Sequence, residues 1–97
     1  MLEITALIRP FCLEKFRSFL SEFSIPEVVI SDPRHAGSMV TIPLNGVVNK
    51  ELLSSPRLSV AFYMGMENSG RVLKKIITRT VNGEFGDSKM YLRTRDL

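Results

Sequence analysis

Apolar residues recur at every second position over Leu2, Ile4, Ala6 and Ile8, with Glu3, Thr5, Leu7 and Arg9 between them. That period predicts a strand with one apolar face, and Pro10 closes it. The period then changes. Leu13, Phe16, Leu20 and Phe23 fall at helical spacing, with Glu14, Lys15, Arg17, Ser18, Ser21 and Glu22 largely opposite. This predicts an amphipathic helix of about three turns, which Pro26 cannot continue. Its Phe stripe reads as core packing rather than as a partner-binding face. Val28, Val29 and Ile30, inside Glu27–Ser31, form a β-branched run and predict a second strand. Leu58, Val60, Phe62 and Met64 alternate with Ser59, Ala61 and Tyr63 and predict a third, which Gly65 ends.

Glu67-Asn68-Ser69 offers N-cap side chains for a second helix. Val72, Leu73, Ile76, Ile77 and Thr80 make its inner stripe, and Arg71, Lys74, Lys75 and Arg79 make its wet face. Four basic residues on one face suit an anionic surface, but a solvated face is the simpler reading. Met90–Leu92 predicts a fourth strand, with Arg93-Thr-Arg95 leaving it. The stretch from Asp32 to Pro56 shows no sustained period. Pro43, Asn45-Gly46 and Ser54-Ser55-Pro56 punctuate it. Short pieces such as Met39–Ile42 and Val47-Val48 can pair as a hairpin around Asn45-Gly46. So long a stretch in a small domain is expected to be mobile and partner-binding.

The order of elements predicts an α+β fold, a ferredoxin-like βαββαβ unit over residues 1–97 as a single domain. Its antiparallel four-stranded sheet carries both helices on one face, with a long loop between strands 2 and 3. The helix-free face carries Leu7, Ala61 and Tyr63. It is too apolar to stay wet, which predicts a covering subunit.

Thr80–Leu92 is the stretch with the clearest chemistry. It leaves the second helix, turns through Gly83 and Gly86, and enters the last strand. Gly83 sits where a helix C-cap needs φ > 0, and Gly86-Asp87-Ser88 makes a second tight turn. Lys89 follows directly. Closely spaced backbone N–H groups with a lysine suit an anion such as phosphate; the plain alternative is a helix-to-strand connection with a surface lysine. Composition adds little to this. The net charge of +3 comes from basic residues spread along the chain and matched locally by acids, so nucleic acid is not implied. No apolar run is long enough to span a bilayer, so direct membrane insertion is not expected. The N-terminus lacks a basic-then-apolar export pattern. The one cysteine, Cys12, allows no internal disulfide and suits a reducing cytoplasm. Cys12 and the one histidine, His35, do not make a metal site of known spacing.

Two segments carry a resemblance. Ile4-Thr-Ala-Leu-Ile-Arg-Pro-Phe-Cys-Leu-Glu14 resembles the opening of the PII signalling proteins, a strand followed by Lys/Arg-Pro-Phe and a helix. Gly83-Glu-Phe-Gly-Asp-Ser-Lys-Met-Tyr91 resembles that family's second signature, Gly-x-x-Gly-Asp-Gly-Lys-Ile-Phe. The spacing between the two leaves room for the family's long T-loop. The resemblance runs to about Leu92 and implies a divergent PII-like protein, a homotrimer whose subunit clefts bind ATP or ADP. It implies a phosphate-holding turn at Gly86, Asp87, Ser88 and Lys89, with Arg57 near a family lysine that reaches the same cleft and Gly37 at the base of the T-loop. Arg93 and Arg95 match a phosphate-contacting Arg-x-Arg in composition, but lie several residues too close to the lysine. Ser88 stands where the family has glycine. Met39 stands where the family's glutamine coordinates Mg²⁺ with ATP and 2-oxoglutarate, so any binding of ATP, ADP or AMP is expected to be weak and largely independent of Mg²⁺ and 2-oxoglutarate. No tyrosine occurs between Pro33 and Pro56, so there is no acceptor for nucleotidylation.

The implied function is regulation: a nucleotide- or anion-binding trimer whose residues 32–56 dock on a membrane transporter or an enzyme, in nitrogen or carbon uptake. The alternative is a degenerate scaffold that keeps trimer and loop without the nucleotide. An enzyme is not expected, since no Ser/His/Asp set or spaced carboxylate pair is present. An RNA-binding ferredoxin-like domain needs exposed aromatics at alternate sheet positions. Here Phe62 and Tyr63 are adjacent and point to opposite faces.

Overall fold

In the computed structural model, which describes residues 1–97 apart from the side chain of Ala36, the alternating segments form strands at the expected places. Strand β1 spans Leu2–Ile8, β2 spans Glu27–Ser31 and β4 spans Leu58–Met64. Two further strands join them: β3, Val40–Pro43, and β5, Tyr91–Asp96. Together they form one antiparallel sheet in the order β3-β2-β4-β1-β5. The sheet therefore has five strands rather than the expected four. The extra strand is β3, which pairs along β2 from Glu27↔Pro43 to Ile30↔Val40. Val40–Ile42 does not fold back on Val47-Val48. It takes the free edge of β2 instead, where Ile42 stands opposite the fully buried Val28 and packs against the core.

The helices are α1 (Leu13–Leu20), α2 (Lys50–Leu53) and α3 (Met66–Val81). The α1 stripe runs on through a short 3-10 turn, Ser21–Phe23. Ser24, with φ of 56°, then reverses the chain before Pro26. Leu2, Ile4, Ala6 and Ile8 share one core with Leu58, Val60 and Phe62, with Leu13, Phe16 and Leu20 of α1, and with Val72 and Ile76 of α3. Both long helices thus cover one face of the sheet. Leu7, Ala61 and Tyr63 lie on the face without helices, and Tyr63 is 39% exposed. Ile77, placed in the inner stripe by its spacing, is instead 53% exposed at the flank of α3. Arg71 and Lys75 of the basic face lie over the ring of Phe23, and Arg79 lies over Phe19.

Three local expectations change. Helix α3 starts one residue after the Gly65 N-cap position, with no side-chain cap from Glu67, Asn68 or Ser69. A Cβ on Gly65 would come 2.7 Å from the Glu67 carboxylate, so glycine makes room for that side chain to fold back over the helix start. Ser69 is buried in the first turn and donates to the carbonyl of Met66. Strand β5 extends to Asp96, so Arg93-Thr94-Arg95 lies within the strand rather than leaving it. The third change is in the stretch from Asp32 to Pro56, where the sequence shows no sustained period. It holds β3 and α2, and buries Leu52 and Ser55. Asn49 caps α2, its side chain accepting from the Glu51 N–H at 2.9 Å.

One side chain straps this insert to the body. Arg17 of α1 is 9% exposed and donates through Nη1 to the carbonyls of Leu44 and Gly46, and through Nη2 to Glu14. The turn it holds is closed by the Gly46 N–H donating to the Pro43 carbonyl at 2.8 Å. Arg17→Ala should therefore leave two backbone acceptors without their charged donor. The expected loss is about 2–3 kcal/mol, the upper range for hydrogen bonds to a charged group. Urea unfolding at neutral pH measures it, and a loss under ~0.5 kcal/mol would mean that the strap contributes nothing net.

Candidate functional site

The turn between α3 and β5 is set by its two glycines. Gly83, φ 73°, ends α3 in the left-handed conformation. The Glu84 N–H donates to the Arg79 carbonyl at 2.9 Å and the Gly83 N–H donates to the Thr80 carbonyl at 3.0 Å. That pair of bonds is the Schellman arrangement, which satisfies the last carbonyls of a helix. Phe85 then drops into the core, 2% exposed, with its ring edge-on to Phe16 and Phe19. Gly86, φ 94°, brings the chain back out, and a Cβ there would sit 3.5 Å from the Phe11 ring and 4.0 Å from the Cys12 sulfur.

Asp87 ties the turn together from within. Its Oδ1 accepts from the Lys89 N–H at 3.1 Å, and its Oδ2 faces Arg9 Nε at 3.1 Å. Among the described residues, the amides of Asp87 and Ser88 have no protein acceptor. Arg57, just before β4, lies on the other side. Its guanidinium sits over the Tyr91 ring, and its Nη1 is buried without a hydrogen-bond partner. Burial pushes the Cys12 thiol up, and Asp87 pushes it the same way, while Arg9, Lys15 and Arg57 act against both. Cys12 thus lies within the electrostatic reach of three cations and one carboxylate. At 1% exposure it is a packing residue.

The expected site residues divide into three sets. Gly86, Asp87, Ser88 and Lys89 share the turn, and Arg57 faces its neighbourhood through Tyr91. Arg93 and Arg95 lie farther along β5 on the helix-free face, opposite Thr5 and Glu3 respectively. Arg95 is engaged there by Glu3, at 3.3 Å, and the Tyr63 hydroxyl donates to the same carboxylate at 2.8 Å. That bond to Glu3 raises the Tyr63 pKa above its ordinary value. Gly37 is separate again. It lies in the Ala36–Ser38 turn, beside a groove lined by Asp32, His35, Asn49 and Leu52, beyond β2 and two strands from β5. A Cβ on Gly37 would meet nothing within 4 Å, so neither space nor backbone demands glycine there.

Two residues of the site carry no role in the sequence reading. Arg9 is visible there only as part of Arg-Pro-Phe, yet it is the ion-pair partner of Asp87. Phe11, 61% exposed, packs its ring against Gly86. The signal for both is their position: the end of β1 lies beside the start of β5, with Leu7 opposite Tyr91.

At the base of the insert a second polar cluster forms around Asp32, which is 5% exposed. Its carboxylate accepts from the Arg34 guanidinium at 2.9 Å, from the Arg34 N–H at 2.9 Å and from the Ser55 hydroxyl at 2.8 Å. The Asp32 N–H in turn donates to the Ser38 hydroxyl at 2.8 Å. These bonds tie the end of β2 to the approach to β4.

No family model matches the chain, and no curated protein matches it. Among the described residues, no helix is long and apolar enough to cross a membrane.

The Asp32 cluster gives a pH test. The Arg34 side chain, then its backbone N–H, hold the Asp32 carboxyl well below the usual carboxylate range. A depressed native pKa stabilises the fold above the unfolded value, near 3.9 for aspartate, and that contribution is lost as pH falls below it. Asp32→Asn is expected to lower the urea midpoint at pH 7 and to narrow the difference between midpoints at pH 7 and about 2.5. An unchanged pH difference would show that the bracket carries no pH-linked stability.

Proposed function

We propose that this chain is a regulatory binding module of the PII-like kind, with the helix-covered sheet as a ferredoxin-like core. In this reading it is a cytoplasmic homotrimer and not an enzyme. It takes an adenine nucleotide, ATP, ADP or AMP, or another small anion, at the turn between α3 and β5. It acts on a membrane transporter or an enzyme through residues 32–56. The observation that carries the ligand reading is Arg57 Nη1, a buried cationic donor without an acceptor. Arg57 lies over the Tyr91 ring at the start of β5 and, like Arg9, acts on the Cys12 thiol, which adjoins Gly86 of a turn whose Asp87 and Ser88 amides are also without acceptors. An unmet buried donor costs stability, and amides of a tight turn together with cations suit phosphate oxygens. The helix-free sheet face, with Leu7, Ala61 and Tyr63, supports the trimer reading.

A second reading is favoured by one specific observation. Asp87 already fills the turn from within, taking the Lys89 N–H and facing Arg9. Arg93 and Arg95 stand apart on β5, and Met39 is 65% exposed with no group to hold a metal ion. A scaffold that keeps its assembly and its insert, without the nucleotide, fits those features.

Titration calorimetry with ATP, ADP and AMP separates the two. Nucleotide binding is expected to be unaffected by Mg²⁺, and Lys89→Ala or Arg57→Ala should weaken it by about 1–3 kcal/mol, the range for a charge-assisted hydrogen bond. No heat with any of the three, from folded protein, would leave the scaffold reading. Sedimentation velocity at micromolar concentration tests the assembly on its own. A trimer is expected, and a monomer would remove the inter-subunit cleft.

A further inference from the structure

The two edges of the sheet are guarded differently. The β3 edge is four residues long and closes on Pro43, which has no N–H to offer; the next residue, Leu44, donates its N–H back to Pro26 at 3.0 Å. Short length and proline are common ways of blunting an edge. The β5 edge is six residues long, Tyr91–Asp96, without proline or glycine. One side of it pairs with β1, and among the described residues no strand pairs with the other.

Beside that edge, on the helix side, α3 leaves Ile77 53% and Val81 70% exposed. With Thr80, Met90, Leu92 and, from the neighbouring turn, Lys89, they line a groove of about 240 Å³. That is too small for a nucleotide. It has room for one or two aliphatic side chains. On the helix-free side of the same strand stand Arg93 and Arg95. Arg95 is held by Glu3, whereas Arg93 makes no ion pair among the described residues.

We infer that the β5 edge, with the α3 groove beside it, docks an extended segment of a partner protein as a sixth strand of the sheet. Backbone bonds to β5 supply the affinity and alternating side chains supply the selection. Because side chains of an added strand alternate between faces, one set enters the groove at Ile77 and Val81 and the other meets Arg93. The segment that fits is apolar at one set of alternate positions and acidic at the other.

Charge selects this occupant over a second copy of the chain. If β5 pairs with another β5, opposite residues share a face, and in the registers that pair most of the strand Arg93 meets either Arg93 or Arg95. Like charges directly opposite are destabilising. If it pairs with the free edge of another β3, the residues on the arginine face are Thr41 and Pro43, neither of them a carboxylate.

The test uses ¹⁵N-labelled full chain and a capped peptide, acetyl-Thr-Glu-Val-Glu-Val-Thr-amide, with a control carrying Lys for each Glu. Amide shifts are expected to group in residues 77–81 and 91–96 with the acidic peptide only. Val81→Lys and Arg93→Glu should each weaken binding about fivefold, the scale of one cross-strand pair. Arg93→Glu should also improve binding of the Lys peptide. Both side chains are exposed, so circular dichroism and the thermal midpoint should not move. No shifts at millimolar peptide, shifts elsewhere, or equal binding of the two peptides would overturn the proposal. So would β5 amides whose protection in the free protein is lost on dilution, because a second copy would then hold the edge.

Discussion

Phe85 stands between the end of α3 and the start of β5, its ring centroid 5.5 Å from that of Phe16 and 5.5 Å from that of Phe19, edge-on to both. Its burial makes a polar, glycine-rich turn part of the core. The chain must leave α3 in a left-handed conformation at Gly83 to deliver the ring and leave again at Gly86 to escape, so both glycines serve one buried side chain. Once Phe85 is seated, the entry point of β5 is set, and with it the register of Leu7 against Tyr91 and Thr5 against Arg93. The position of Asp87 beside Arg9 follows from the same anchor.

What the sequence made legible, and what it did not, divides along physical lines. β1, β2 and β4 are half-buried or fully buried strands, and burial writes itself as period two or as a β-branched run. Gly83 and Gly86 were legible because only a special backbone makes glycine necessary, and both have positive φ. Met39–Ile42 was legible as a piece able to pair, but not as the partner of β2, because Val-Thr-Ile-Pro is too short to show a period and what makes it this strand is the unpaired side of β2, a tertiary fact. The length of β5 was hidden for another reason. Arg93, Thr94, Arg95 and Asp96 are polar on both faces, so the strand is held by its ladder to β1 and by the Glu3–Arg95 pair rather than by burial. The insert shows no sustained period because its order comes from single contacts, Leu52 in the core, Asp32 on Arg34 and Ser55, and Arg17 on two carbonyls.

The candidate site shows the same division. Its turn and Lys89 were legible, Arg57 came only through the family resemblance, and the place of Arg9 beside Asp87 was not legible. Arg9 and Arg57 are far apart in the chain, and the sheet brings them to one end because Ile8 pairs with Leu58. Asp87 tempers the site they make. One carboxylate beside Arg9, with Lys15 and Arg57 also acting on the neighbouring Cys12 thiol, lowers the local positive charge.

The Arg17 strap bears on the order in which the molecule assembles. It joins residues 27 and 29 positions apart, and its donor sits on a helix that must already be docked before the guanidinium can face the turn at Leu44–Gly46. Contacts of this kind form late, after the sheet and α1 have met. In kinetic terms the strap belongs to the descending side of the folding barrier, where an interaction slows escape from the native state and leaves the rate of reaching it almost untouched. The persistence of the Leu44–Gly46 turn, measured as time rather than as free energy, then depends on that guanidinium, while Leu52 and the Asp32 cluster hold the rest of the insert.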